Sequence, residues 1–216
     1  MGPFWIFLIL VAISIISQIV TRIADKRRIA ALLKSINEAG FEATDSLPEV
    51  DAERYFGFEL SKKGRISPAH FAIVVETDVT RVTIFEQRIV VGSGKNKSSK
   101  SFVGTLVYDM RVQAPSITVT TRQFLASISK ILGVNYIEFD EKTEFDDKYA
   151  VRGRPIEAVK NYLNTARRTQ LANLRLREFG FNQNTMLIVE WDQKININNY
   201  QDFIRKGLEL LAVARF

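Results

Sequence analysis

The sequence predicts an α+β protein: an N-terminal transmembrane helix and an amphipathic helix, then a mainly antiparallel sheet domain with short helices and a C-terminal helix. Three observations lead there. An uncharged apolar run occupies residues 4–20. Beyond residue 53 the hydrophobic period changes from about 3.6 residues to 2, the signature of strands. Short runs rich in β-branched and aromatic residues then follow one another without regular strand–helix alternation. That pattern excludes a doubly wound nucleotide fold and favours an antiparallel sheet.

The first element reads FWIFLILVAISIISQIV from Phe4 to Val20, with only Ser14, Ser17 and Gln18 polar. At 1.5 Å per residue it covers about 26 Å of helix, close to the ~30 Å of a bilayer's hydrocarbon layer. Pro3 suits a helix start, and Trp5 falls where an interfacial anchor is expected. A cleaved secretory signal would begin with a positive stretch, and Met1-Gly2-Pro3 has none. Myristoylation wants Ser or Thr where Ile6 stands. The positive residues Arg22, Lys26, Arg27 and Arg28 follow the run at once. The positive-inside rule therefore expects a single-pass protein with its C-terminal domain in the cytoplasm, its basic collar meeting lipid headgroups. Phe4, Trp5 and Val20 are the expected anchor residues, and Arg22, Lys26, Arg27 and Arg28 the orienting ones. Ser14, Gln18, Thr21 and Asp25 share one helix face. They read either as a polar seam for self-association through the span or as residues near the interface.

Residues 22–39 keep a helical period through Ile23, Ala30, Leu33 and Ile36 until Gly40 ends it. Pro48 and scattered acids mark a linker, so the expected units are an anchor at 1–24, a juxtamembrane helix and linker at 25–53, and a cytoplasmic α+β domain at 54–216. Phe56, Phe58 and Leu60 alternate as in a strand, with a turn at Lys62–Arg65. Strands are expected at 70–76, 81–91, 101–110 and 116–121, and again at 137–139, 149–151 and 186–191. Short helices are expected at 124–132 and 156–166, while 167–181 fits either state. The last helix is the plainest in the body, with Asn198 or Asn199 at its start and Tyr200, Phe203, Ile204, Leu208 and Leu211 in one stripe. Gly207 sits in that stripe and calls for a close neighbour.

Composition narrows the function classes. The chain has 216 residues, 46% of them hydrophobic, enough for a real core. It has no Cys, which removes disulfides, thiolate zinc sites and Cys nucleophiles. Residues 1–40 carry five basic and two acidic groups, which leaves 25 basic and 22 acidic groups for the rest. A body so balanced does not read as a nucleic-acid surface.

The stretch Phe139-Asp140, followed by Phe145-Asp146-Asp147-Lys148-Tyr149-Ala150-Val151-Arg152-Gly153, resembles a signature in a broad group of uncharacterised bacterial membrane-anchored proteins. Gln113-Ala114-Pro115 before a strand fits the same group. The resemblance covers about residues 55–213 and implies the architecture and a bacterial inner-membrane location. It carries no catalytic residues, and the group usually has two spans where this chain has one.

Motifs for chemistry are few. Val91–Asn96 lacks the first Gly and the Ser or Thr of a phosphate loop, so Lys95 and Lys97 read as a soluble hairpin tip or a headgroup contact. His70 is the only histidine and has no evident partner. Asp140, Glu141, Glu144, Asp146 and Asp147 form the densest acidic cluster, a solvated turn or a divalent-cation holder without EF-hand spacing. Arg152, Arg154, Arg167, Arg168, Arg175 and Arg177 read as arginines scattered over a charged surface, or as a basic face if several converge. No catalytic, cofactor or metal-ligand residue is assigned. The expected function is a membrane-anchored interaction or scaffold module, with the bilayer and a protein at the membrane as partners. The alternatives are a tethered enzyme using the acidic cluster, with or without a divalent cation, and a lipid-headgroup sensor.

Overall fold

The structure is a computed structural model. It describes the backbone of residues 3–62, 65–67, 69, 71–91, 98–123 and 136–216, and their side chains except those of 3–10, 22, 60, 62, 65, 66 and 91. The expectations for Lys95, Lys97, His70, the turn at 63–64 and the helix at 124–132 lie outside these residues.

The first helix, α1, runs unbroken from Pro3 to Glu38. After it come β1 (Glu42–Thr44), α2 (Glu49–Phe56), a 3-10 turn (Glu59–Lys62) and β2 (Arg65–Ile66). Four longer strands follow: β3 (Ala72–Glu76), β4 (Thr80–Val91), β5 (Ser98–Asp109) and β6 (Ala114–Thr121). Next are α3 (Glu144–Lys148), β7 (Tyr149–Arg154), α4 (Ile156–Tyr162) and α5 (Thr165–Asn173). The chain closes with β8 (Glu178–Gln183), β9 (Thr185–Trp191) and α6 (Tyr200–Arg215). The described strands form one antiparallel sheet in the order β1-β3-β4-β5-β9-β8-β6-β7, with β2 on the far end of β4. The α+β sheet architecture is therefore as the sequence predicts.

The membrane anchor is not. Among the described residues no helix is long and apolar enough to cross a membrane. Charge enters α1 at Arg22 and recurs at Asp25, Lys26, Arg27 and Arg28. This corrects the expected transmembrane helix, the single-pass topology and the inner-membrane location. Val20 is exposed, and the side chains of Phe4, Trp5 and Arg22 lie outside the described ones. Lys26 and Arg27 are exposed, but Arg28 is no lipid-facing collar. Its guanidinium turns into the body, with Nη2 donating to Glu86 at 2.9 Å and Nη1 to Glu86 and the Ile195 carbonyl.

Register alternation sorts side chains onto two sheet faces. On one, Ile73, Ile84 and Val103 meet Leu32 and Ile36 of α1 and Tyr200 and Phe203 of α6. The same face continues through Val107, Ile117, Val119, Phe179, Phe181 and Ile188 under α4, α5 and α6. On the other, Phe85, Phe102, Leu106, Leu187 and Trp191 pack with Tyr55 and Phe58. Tyr55 and Phe58 belong to α2 and the turn after it, so the strand expected at 55–60 is replaced by helix. Asp51, Tyr55 and Phe58 are buried at helical spacing, while Phe56 is exposed. Residues 137–139 form no regular strand, and the helix expected at 156–166 is split by Leu163 and Asn164. Asn164 caps the second piece, its side chain accepting from the Arg167 N–H.

Candidate interaction surface

Helix α6 is amphipathic twice over. Its inner side buries Phe203, Gly207, Leu210, Leu211 and Ala214 against the sheet. A Cβ on Gly207 would stand 3.0 Å from methyls of Thr105 and Val107, so glycine lets the helix lie close on β5. Arg215 secures the far end by donating to Asp109, which is fully buried and also accepts from Thr80 and Arg111. Burial alone would raise the Asp109 carboxyl, but the hydrogen bonds from Arg111, Thr80 and Arg215 outweigh it and hold it well below the usual carboxylate range.

The outer side of α6 carries a second apolar row, Ile204, Leu208 and Ala212, at i, i+4 and i+8. Phe41, from the turn that follows α1, stands beside this row, and together they form an open groove of about 470 Å³. Gln201, Arg205 and Glu209 form its polar border. Arg205 donates to Glu209 at 2.7 Å and to Asp202 at 3.3 Å, so the border holds paired charge of both signs. The sequence pattern puts Ile204 and Leu208 in one stripe with Tyr200, Phe203 and Leu211, yet Leu208 is 46% exposed. The signal for the groove was present in the recurrence of apolar residues at 204, 208 and 212. A second helical row wider than one buried face needs marks a surface.

The acidic cluster is divided among different tasks. Asp140 is exposed, 3.5 Å from Lys160, and Asp147 is exposed as well. Asp146 turns inward, where its Oδ2 accepts from the Thr143 N–H at 2.7 Å, the Thr143 hydroxyl at 2.9 Å, and Arg168. Arg168 is itself buried. It donates to the Leu163 and Glu141 carbonyls and lies 4.3 Å over the Phe139 ring. Arg167 stacks 4.0 Å over Tyr162 and donates to the Val213 carbonyl, tying α5 to α6. Asp146 and Arg168 are thus brought together as a structural lock between α3 and α5, and Asp140 and Asp147 stay outside it. Among the described residues no group of three or more His, Cys, Asp or Glu side chains is placed to hold a metal ion.

Two other buried polar contacts have no signature in the sequence. Asp51 accepts from Arg54, Arg81 and Thr83, locking α2 to β4. Glu178 accepts from the Trp191 indole at 2.9 Å. Burial, and then the nearby Glu178 charge, push the Tyr55 phenol above its ordinary value. Such pairs leave no local pattern because their partners lie far apart in sequence.

Comparison with solved structures finds this arrangement in the mycobacterial trehalose monomycolate transport factor A, TtfA, with a TM-score of 0.55. The match covers 85% of this chain and 92% of that one at 12% identity. At that identity the likeness is one of fold. No protein-family model matches the chain, and no curated protein sequence matches it.

Proposed function

We propose that this chain is an interaction module, a non-catalytic factor that docks an apolar segment of a partner protein in the α6 groove. The groove is the observation that carries this reading. Leaving Leu208 in water forgoes part of the roughly 1.5–3 kcal/mol that full burial of such a side chain is worth. A partner that covers it recovers that energy. Apolar floor and polar border are the general anatomy of a protein interface. A length of about 12 Å from Ile204 to Ala212 suits an amphipathic helix offering two or three apolar anchors. The paired charges of Arg205, Asp202 and Glu209 would set its register rather than its affinity.

The mycobacterial neighbour supports a second reading. That protein is a trehalose monomycolate transport factor. A related task here would place an acyl chain along Phe41, Ile204, Leu208 and Ala212.

A photo-crosslinking residue at position 208, introduced into the full chain in intact cells, separates these readings. One protein adduct, missing when the probe sits at exposed Ile156 and lost with Ala212→Glu, supports docking. A lipid adduct with the same controls supports the second reading. Equal labelling from positions 208 and 156 overturns both.

A further inference from the structure

We propose that α1 from Arg28 onward, together with β1, is a strap that builds the α6 groove by closing on the sheet, with Glu86 as its latch. The walls of the groove come from two parts of the chain. Ile204, Leu208 and Ala212 stand on α6, and Phe41 stands beside them. Phe41 moves with α1, because the helix ends in a Schellman turn. The Phe41 N–H donates to the Ile36 carbonyl at 3.0 Å and the Gly40 N–H to that of Asn37 at 3.1 Å, with Gly40 at a φ of 77°. Where α1 lies therefore decides where Phe41 stands.

Few contacts hold the strap down. Among the described side chains of α1 only Leu32 and Ile36 are buried. Strand β1 is three residues long and lies at the edge of the sheet, paired with β3. Beneath it β4 and β5 pair over all twelve residues of each, so an opening that spares the sheet begins at this edge. Glu86 is the point at which the strap meets α6. Its carboxylate accepts from both Nη atoms of Arg28 and from the Ile195 N–H, in the segment that leads into α6. Arg28 donates to the Ile195 carbonyl as well. Such charge-assisted bonds are stronger and more exacting in geometry than neutral ones. One carboxylate on β4 thus fixes α1 and the start of α6 relative to each other, and with them the two walls of the groove. Asp25 adds a second tie, to Lys194 at 2.8 Å, but an exposed pair of this kind contributes little. Glu86 does not line the groove and is a positioning residue. The strap needs no occupant in the groove, and neither does its test.

The chain has no cysteine, so a bimane label on Leu208→Cys has a single site. Phe41→Trp puts an indole, which quenches bimane at near contact, on the other wall. In the full chain the label should be strongly quenched relative to the same label beside native Phe41. Glu86→Ala should remove most of that quenching, and Arg28→Ala should do the same, while amide protection in β4, β5 and β9 is kept. Leu106→Ala, which weakens the core on the opposite face of the sheet, should leave the quenching as it is. Quenching that survives both latch substitutions would overturn the proposal, because β1 would then hold Phe41 without the latch. Equal loss in Leu106→Ala would overturn it as well, since Glu86 would then act only through overall stability. So would a Phe41→Trp chain whose label is not quenched.

Discussion

Helices α1 and α6 are each pinned to the sheet by an arginine on a carboxylate, Arg28 on Glu86 and Arg215 on Asp109, yet they use their lengths differently. Over its 16 residues α6 offers a buried stripe from Tyr200 to Ala214. Among the described side chains of the 36-residue α1, only those of the last part do, with Leu32 and Ile36 fully buried. Apolar character alone therefore does not decide what a helix covers. The position of the clamp does. Where the apolar stripe and the arginine face the same way, as from Arg28 to Ile36, the helix docks. Where apolar residues point elsewhere, as at Ile16 or Leu208, they remain as surface.

Breaking the stronger clamp should have the largest effect. Asp109→Ala leaves Arg215 and Arg111 without their shared carboxylate, and unfolding by urea should show a loss of about 4 kcal/mol. The same site predicts a pH dependence. The Asp109 carboxyl is held below its unfolded value near ~3.9, so its contribution is complete above that value and is lost as pH falls toward the folded one. Stability should fall below about pH 4 more steeply in the native chain than in Asp109→Asn.

Leu32→Ala, in the docked half of α1, should cost about 3 kcal/mol by opening a cavity beneath the helix. Glu86→Ala should cost about 2 kcal/mol, less than Asp109→Ala because both partners keep 20% of their side-chain surface in water. Ile16→Ser, in the projecting half, should change the stability of the body by less than about 0.5 kcal/mol under dilute conditions. A loss there as large as that of Leu32→Ala would mean that the two halves of α1 do not differ as described.

The sheet was legible because its strands carry the period in their own residues. Residues 81–91 and 101–110 alternate β-branched and aromatic side chains, and they pair as β4 and β5. At residues 55–60 two periods competed: Phe56, Phe58 and Leu60 fit a strand, but Asp51 and Tyr55 fit a helix over β4. Asp51 decided it by meeting Arg81 and Thr83, partners about thirty residues away. The same distance problem concealed the role of Arg28, whose partner Glu86 is 58 positions on. Its neighbours Lys26 and Arg27 made it look like part of a collar. Of the candidate site, the apolar row at 204, 208 and 212 was visible as composition. Its exposure depended on where β5 and Phe41 would lie.

Amide hydrogen exchange tests the central claim, that α1 is docked to the sheet from Arg28 onward and not over residues 11–21. Isolated helical turns are marginal in water, so residues 11–21 should exchange fast. Residues 29–38 should stay protected. Protection that is uniform along α1 would contradict the account.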